Sequence, residues 1–349
     1  MSDFVPCLER RPLGETGVEV RLGNDLLDDY LRFVAARCRP NTVLAAGFDL
    51  KVFFAFAGKH PAEVSTADVL EFITDQRVPR RGNVVRLDDG EAGLSARTIA
   101  RRLSTLSGLF GYLTARGVVT ASPVPSGPVT RRPAARGERR GRVPLIRAPR
   151  TLPRLLAPAE AVALLAALRT ARDQAMVQAM LLGGLRRCEV LGLRLADVRL
   201  ADRRLFIADG KGGHERMVPV ADRFFTTLAR YLDHERPAQA ATDAVFVVLK
   251  GPHRGRSLSA AGLDEILDGA RRRAGLTRAT CHMLRHTCLT RLREAGMALE
   301  AVQAQAGHRS IESTRIYLHL AGGWLADEYR RAVDAIEHDL AAGPTGDQR

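Results

Sequence analysis

Residues 282–286 read His-Met-Leu-Arg-His, and His308 and Tyr317 follow them along the chain. In a helix, positions i and i+3 lie on one face, so His282 and Arg285 are expected side by side. A guanidinium binds the non-bridging oxygens of a phosphodiester, an imidazole donates to them, and a phenol can supply an attacking oxygen. The stretch therefore predicts a phosphodiester site, although a His-x-x-Arg pair by itself is most often a solvated helix face.

A β-hairpin with a lysine at its tip is predicted upstream of this helix. Residues 204–208 and 215–220 have strand character, and the Gly-rich turn that joins them contains Lys211. Of the 53 basic residues in the chain, only four are lysine. An ammonium can give up a proton whereas a guanidinium effectively cannot, so a lysine kept at this tip favours a need for an amine there.

Taken in order along the chain, these motifs and an upstream turn resemble one protein family. The motifs are Gly-Leu-Arg-x-x-Glu at residues 184–189, the Gly-Lys-Gly-Gly turn, His-x-x-Arg, Gly-His and Ile-Tyr. Their order and spacing resemble the catalytic domain of the tyrosine recombinases, or phage integrases, over roughly residues 155–340. The resemblance implies a mainly α fold with a small β-hairpin or sheet, in which a helical core-binding domain precedes a mixed α/β catalytic domain.

The resemblance also implies catalytic roles residue by residue. Tyr317 would attack the scissile phosphorus and form a 3′-phosphotyrosyl bond, Lys211 would protonate the departing 5′ oxygen, and His282 would accept the tyrosine proton. Two arginines and a second histidine would stabilise the charge that builds in the transition state. No metal, ATP or other cofactor is implied. The full expected catalytic set is Arg186, Lys211, His282, Arg285, His308 and Tyr317.

Four neighbouring residues receive other interpretations. Glu189 and Asp197 are expected to hold Arg186, although a purely surface role for Asp197 stays open. Cys188 stands where members of the family often carry serine, and it is interpreted as a packing residue. Tyr329 lies on the apolar stripe of a predicted terminal helix, so core packing is favoured over a role as nucleophile.

The domain organisation follows from composition and helical periodicity. A length of 349 residues is typical of about two domains, and a Pro-, Gly- and Arg-rich stretch with few large apolar side chains is typical of a linker. The predicted segments are an irregular N-terminus at 1–20, a helical core-binding (SAM-like) DNA-binding domain at 21–120, a basic linker at 121–154, and a catalytic domain at 155–341 with a C-terminal helix at 324–341.

Four amphipathic helices are predicted in the N-terminal part. Capping or helix-opening residues precede four apolar repeats, at Asn24, Pro40, Ser65 and Ser95. Residues 77–94 are predicted to form a long loop whose role the sequence does not give. One face of the fourth helix could enter the major groove, with a solvated face as an equal alternative. That face carries Thr98, Arg101, Arg102 and Thr105.

A strongly basic balance indicates a polyanionic partner. The chain has 53 Lys and Arg against 39 Asp and Glu, a formal net charge of +14. Residues 121–150 carry eight arginines and one glutamate. Their arginines are expected to follow the phosphate backbone of double-stranded DNA, and a solvated tether is the alternative. The linker residues expected to contact DNA are Arg139, Arg140 and Arg142.

The cysteines indicate reduced thiols in a cytoplasmic protein. Their number, five, is odd, and no Cys-x-x-Cys pair occurs. Neither a signal peptide nor an apolar run of membrane length is found in the sequence. A zinc site is a weak alternative, because an arginine and helical spacing interrupt the candidate ligands. Those candidates are Cys281, His282, His286 and Cys288.

Three classes of function remain open from the sequence. The first is site-specific DNA strand exchange for the integration, excision or transposition of a mobile element. The same first class includes Xer-like resolution of chromosome or plasmid dimers. The second is a catalytically silent DNA-binding member of the family, and the third is a topoisomerase-like or telomere-resolving use of the same chemistry. The expected assembly is a homotetramer on paired sites, linked through the C-terminal helix, with sister recombinases or a DNA-bending factor as possible partners. The target sequence and any directionality factor cannot be deduced from the chain alone.

Overall fold

A computed structural model of the chain describes residues 5–13, 17–78, 93–125, 146, 154–208, 215–307 and 333. The chain divides into two compact units, an N-terminal unit (residues 1–150) and a C-terminal unit (residues 151–349). The N-terminal unit contains β1 (Glu9–Leu13), β2 (Gly17–Arg21), α1 (Asp25–Ala35), α2 (Pro40–Ala57), α3 (Thr66–Arg77) and α4 (Ala96–Ala115). The C-terminal unit contains α5 (Pro158–Ala166), α6 (Ala171–Leu181), α7 (Arg187–Gly192), β3 (Val198–Arg199), β4 (Arg204–Ile207), β5 (Arg216–Pro219), α8 (Asp222–His234), α9 (Ala260–Arg273), α10 (Cys281–Glu294) and α11 (Leu299–Ala306).

The helices of the N-terminal unit begin and end where the sequence predicts. The Asn24 side chain accepts from the first backbone N–H groups of α1, and Ser65 forms a reciprocal capping box with Asp68 at the start of α3. Helix α2 opens on Pro40 and ends before Gly58, whose φ of 60° only glycine adopts without strain. The four predicted helices are therefore confirmed.

Aromatic side chains form the core of this unit. Phe53 on α2 meets Phe72 on α3 edge to face, with ring centroids 5.1 Å apart. Phe54 and Phe110 are also fully buried, so α4 closes the same core. Buried aromatic area of this size stabilises a small helical unit more than helix propensity alone can.

The prediction of an irregular N-terminus at residues 1–20 is wrong for the residues described. Strands β1 and β2 form an antiparallel hairpin in which Glu9 pairs with Arg21. Val20 and the following Leu22 are buried in the core of the unit. Helix α2 admits them because Gly47 has no side chain, and a Cβ there would lie 2.8 Å from the Val20 side chain. The hairpin is difficult to predict from sequence because charged residues surround these two apolar positions.

Helix α6 is the central helix of the C-terminal unit. All but one of its residues are buried, and it packs against α8 and α10. Glu235 caps its N-terminus, accepting from the backbone N–H groups of Ala171 and Arg172 at 2.7 and 2.9 Å. Because a helix buried on every side lacks an apolar stripe, periodicity gave no sign of it.

A three-stranded antiparallel sheet in the order β3-β4-β5 contains the predicted hairpin. Leu205 on β4 pairs with Val218 on β5, and both side chains are fully buried. The tip of the hairpin, with Lys211, lies outside the described residues. The mostly helical architecture with small antiparallel sheets confirms the predicted fold class.

Two further features bear on the sequence predictions. Residues 245–247 are buried, and Val247 forms an isolated β-bridge with Ser257. Within the part of the chain that is described, no helix is both long and apolar enough to cross a membrane.

Candidate active site

Arg186 is held at the start of α7 by a turn that requires glycine. Gly184 has a φ of 68°, and a Cβ there would lie 3.1 Å from the Leu289 side chain on α10. The turn therefore lies against α10 at Gly184, directly before Leu185 and Arg186. Arg186 itself is extended and stands as the N-cap residue of α7.

The carboxylate of Glu189 lies at the centre of three guanidinium groups. Its side chain has no solvent exposure, and it accepts from Arg186 Nη1 at 2.6 Å and from the Arg186 backbone N–H at 2.9 Å. Arg216 bridges both carboxylate oxygens, with Nη1 and Nη2 at 3.0 and 2.9 Å. Arg285 Nη1 lies farther away, at 3.9 Å. The predicted partnership between Glu189 and Arg186 is confirmed.

The charge state of Glu189 follows from these contacts. Burial raises the pKa of a carboxyl, but the hydrogen bonds from Arg216 and from the Arg186 backbone outweigh that effect. The pKa of Glu189 therefore lies below its ordinary value of 4.5, and the group is an anion at neutral pH.

Arg285 is buried on α10 and donates to two backbone carbonyls. Nη1 donates to the carbonyl oxygen of Gly184, and Nη2 donates to that of Ala306 at 2.6 Å. Arg186 Nη2 donates in turn to the carbonyl oxygen of Gly307 at 3.0 Å. The carboxyl end of α11 thus receives two guanidinium groups, where the helix dipole and unpaired carbonyls favour cations.

Arg216 is a member of this cluster that no sequence motif indicated. It lies on β5 with 13% of its side chain exposed. Arg216 and the fully buried Val218 are two residues apart in a strand, so they share the inward face. An arginine on the buried face of a strand was the available signal, because such a side chain needs an anionic partner.

The two histidines of α10 lie one turn apart, with ring centroids 6.1 Å apart. His282 is exposed, while His286 is half-buried. Burial, with smaller contributions from His282 and Arg285, lowers the pKa of His286 to about 4. His286 is therefore neutral at physiological pH.

This arrangement can bind and polarise an oxyanion. Two guanidinium groups are fixed by backbone carbonyls and by a shared carboxylate, so no reorganisation is needed when negative charge develops nearby. Among the described residues, no group of three or more His, Cys, Asp or Glu side chains could hold a metal ion.

Comparison with known proteins agrees with this geometry. The model of the phage integrase family matches residues 154–322, and that of the phage integrase N-terminal SAM-like domain matches residues 27–117. The tyrosine recombinase XerD of Listeria monocytogenes is 31% identical over 323 residues, covering 88% of this chain and 98% of that protein. The chain belongs to the tyrosine recombinase family. It is accordingly an enzyme of DNA cleavage and rejoining.

Two further similarities are consistent with the family. The tyrosine recombinase XerC of Roseiflexus castenholzii is 31% identical over 314 residues, covering 85% of this recombinase and 89% of that protein. The solved structure of the Tn1549 transposon integrase with transposon right end DNA has a TM-score of 0.64 at 17% identity. It covers 88% of this chain and 99% of that one, which shows a shared fold.

The structure describes half of the expected catalytic set of the recombinase. It brings Arg186 and Arg285 together at Glu189 and the end of α11, and it places His282 exposed on α10, the helix of Arg285. The rest of the set lies outside the described residues: Lys211, His308 and Tyr317.

Two supporting interpretations are wrong. The carboxylate of Asp197 accepts from the backbone N–H of Arg194 at 2.9 Å, closing a short 3₁₀ turn rather than holding Arg186. Cys188 is exposed on α7, so it does not pack in the core. Cys188 lies with Arg187 on the exposed side of α7, whereas Glu189 and Val190 face the core.

The arginines expected to contact DNA from α4 meet a buried acid within the N-terminal unit. Arg101 Nη1 lies 2.5 Å from Asp49 Oδ2, and Arg102 Nε lies 3.8 Å from Asp49 Oδ1. Half of the Arg101 side chain is exposed, whereas Arg102 is mostly covered. The expected linker contacts Arg139, Arg140 and Arg142 lie outside the described residues, as does nearly all of the predicted C-terminal helix.

Proposed function

We propose that the chain is an active site-specific recombinase that exchanges DNA strands through a 3′-phosphotyrosyl intermediate, with Tyr317 as the nucleophile. The observation that carries the proposal is the convergence of Arg186 and Arg285 on the last turn of α11. The sequence of the chain continues from that turn into His308 and, nine residues later, Tyr317. A decayed, silent family member has no need to keep the buried guanidinium of Arg285 and the half-buried one of Arg186 in this arrangement.

The chemistry balances without an external reactant. The Tyr317 oxygen attacks the scissile phosphorus and loses its proton to His282, while the bond to the 5′ oxygen breaks and Lys211 gives that oxygen a proton. Arg186, Arg285 and His308 stabilise the extra negative charge on the non-bridging oxygens. The phosphotyrosyl link keeps the bond energy, so a 5′-hydroxyl from another strand reverses the step. The mechanism thus requires neither a metal nor ATP.

The proposed assembly is a homotetramer on two double-stranded DNA sites. The core-binding domain (21–120), the catalytic domain (155–341) and the linker (121–154) would each contact the duplex. The C-terminal helix (324–341) would dock on a neighbouring subunit. A DNA substrate of this kind implies a cytoplasmic location.

Two biological roles fit this chemistry. Integration or transposition of a mobile element is the role expected from the sequence. Xer-like dimer resolution is the second, and the similarity over nearly the whole length of proteins named XerD and XerC favours it. Deleting the gene separates them, because loss of a resolvase accumulates chromosome or plasmid multimers. Loss of an integrase instead abolishes the circular junction of an excised element.

The covalent step can be tested on a nicked duplex carrying a site that the protein itself selects from a random-sequence library. With EDTA present, the wild-type protein is expected to remain attached to the 3′ side of the nick. Tyr317→Phe should lose the adduct and keep DNA binding, and Tyr329→Phe is the matched control. An adduct that survives Tyr317→Phe but not Tyr329→Phe would overturn the assignment of the nucleophile.

A further inference from the structure

Arg216 contacts three parts of the C-terminal unit at once. It lies on β5, the strand that returns from the hairpin tip carrying Lys211. Its guanidinium meets both oxygens of Glu189 on α7, and its Nε lies 3.4 Å from the carbonyl oxygen of Gln305 on α11. One side chain therefore joins the hairpin, the carboxylate that holds Arg186, and the last turn of α11.

The contact with Glu189 is bidentate, which fixes orientation as well as distance. Nη1 and Nη2 of Arg216 lie 3.0 and 2.9 Å from separate carboxylate oxygens. A planar guanidinium matches a carboxylate in this way, whereas an ammonium offers a single point of charge. Because Arg186 donates to the same carboxylate, Arg216 sets the plane in which Arg186 is held.

The contact with the end of α11 is close enough to depend on glycine. A Cβ at Gly307 would lie 2.8 Å from Cζ and Nη1 of Arg216. Gly307 has a φ of 59° and ends α11 immediately before His308. The Gln305 side chain reinforces the join, donating to the carbonyl oxygens of Gly183 and Pro219 at 2.9 and 3.0 Å.

We infer that Arg216 is a positioning residue for strand cleavage, acting through Glu189 on Arg186. The inference rests on the proposed function. Its role is to keep the guanidinium of Arg186 aligned with the peptide of Gly307 and with the hairpin, without touching the DNA itself. An error of about 1 Å in the place of a catalytic group can slow a reaction about a hundredfold. Arg216→Ala is therefore expected to slow single-turnover cleavage by about that factor.

Half-site binding should separate this role from loss of the fold. In gel-shift titrations, Arg216→Lys and Arg216→Ala should bind a half-site within about threefold of wild type, because the DNA-facing groups remain. Cleavage of the nicked substrate should fall about tenfold for Arg216→Lys, which keeps the positive charge but cannot make the bidentate contact. Arg204→Lys, on the exposed face of the same hairpin, is the matched control and should cleave at the wild-type rate.

A second readout distinguishes action on Arg186 from action on the hairpin lysine. A 5′-bridging phosphorothiolate has a leaving group that needs no proton, so it should rescue Lys211→Ala. It should leave the defect of Arg216→Lys in place, as it should for Arg186→Ala. In an Arg186→Ala background, Arg216→Lys should lower the cleavage rate little further, because the two residues act as a unit.

The pH profile gives a third readout. Glu189 faces Arg186, Arg216 and, at longer range, Arg285. Removing Arg216 takes away two donors but leaves the carboxylate buried, so its pKa should rise. The acid limb of the cleavage profile should then move to higher pH in Arg216→Ala and stay in place in Arg204→Ala.

Each result bears on the inference. Wild-type cleavage rates for both Arg216 variants would overturn it, as would phosphorothiolate rescue equal to that of Lys211→Ala. If Arg216→Ala does not fold, Arg216→Lys decides the question through the rescue and the double variant. Absence of an adduct with the wild-type protein would instead refute the proposed function, and the two failures are thereby distinguished.

Discussion

Arg186 reaches across 121 residues of sequence to donate to the carbonyl oxygen of Gly307, at 3.0 Å. The bond joins the residue expected to hold the scissile phosphate to the peptide that precedes His308. Its acceptor is a helix-terminal carbonyl that no residue of α11 can satisfy. The end of α11 and the expected phosphate site are therefore one structural element.

Gly307→Ala should destabilise the protein and slow cleavage together. A left-handed non-glycine residue costs roughly 1–2 kcal/mol, and the new Cβ would also displace the Arg216 guanidinium. Gly275→Ala is the matched control, because Gly275 has a φ of 67° but no atom near the added Cβ. Thermal unfolding should show a loss for both variants, larger for Gly307→Ala because Arg216 is displaced as well, and cleavage should fall for Gly307→Ala alone. Equal cleavage rates would mean that the contact with Arg216 is unimportant.

Glu189→Gln should destabilise the fold, and the loss should depend on pH. Removing one partner of a buried ion pair costs about 3–5 kcal/mol, since the arginines keep their charge. The pKa of Glu189 in the folded protein lies below its ordinary value. Its contribution to the free energy of unfolding is therefore full above pH 4.5 and is lost as the pH falls through the folded pKa. In urea titrations, wild type and Glu189→Gln should differ most at neutral pH and converge in acid. A constant difference would contradict the assigned ionisation, and exposed Asp264→Asn controls for loss of a surface pair.

Lys211→Ala should cleave slowly on an ordinary phosphodiester and recover much of its rate on a 5′-bridging phosphorothiolate. The reason is that a thiolate leaves without a proton from a general acid. Arg186→Ala should show no such recovery, because its task is charge stabilisation. Quench-flow rates on paired substrates give the comparison, and equal recovery in both variants would remove the distinction between the two roles.

The linker arginines should set the salt dependence of DNA binding. Changing Arg139, Arg140 and Arg142 to alanine should weaken binding to specific and random duplexes alike. The slope of log K against log salt should fall by up to about 0.9 for each lost phosphate contact. The corresponding triple lysine variant keeps the charge and should retain most of the slope. An unchanged slope in the alanine variant would identify the segment as a tether.

Deleting residues 324–349 should separate DNA binding from assembly. The predicted terminal helix carries an apolar stripe that includes Leu325, Val333, Ile336 and Leu340. Without it, the protein should bind one half-site normally and lose cooperative binding to two, as gel shifts on single and paired half-sites would reveal. Undiminished cooperativity in the truncated protein would mean that the helix docks on its own domain.

Local sequence patterns predicted much of this fold. The elements that they missed are buried or depend on contacts between residues distant in sequence. Helix α2 begins at Pro40 and ends before Gly58 because each of these residues has a strong backbone preference. The contact between Arg186 and Glu189 was also predictable, because their Arg-x-x-Glu spacing places them within one helical turn. Helix α6 gave no periodic signal because solvent meets almost none of it. Arg216 was hidden for another reason, since its partners on α7 and α11 are distant in sequence and only the fold brings them together.

The cluster around Glu189 has a consequence for the resting enzyme. In the described part of the chain it contains three guanidinium groups and one carboxylate: Arg186, Arg216, Arg285 and Glu189. That leaves an excess of two positive charges, whereas a phosphodiester carries one negative charge and a pentacoordinate phosphorane carries two. Under the proposed mechanism, the uncomplexed protein is thus electrostatically complementary to a species that exists only while a strand is being cut. Mutual repulsion among these cations would then be relieved most fully at the moment of bond exchange.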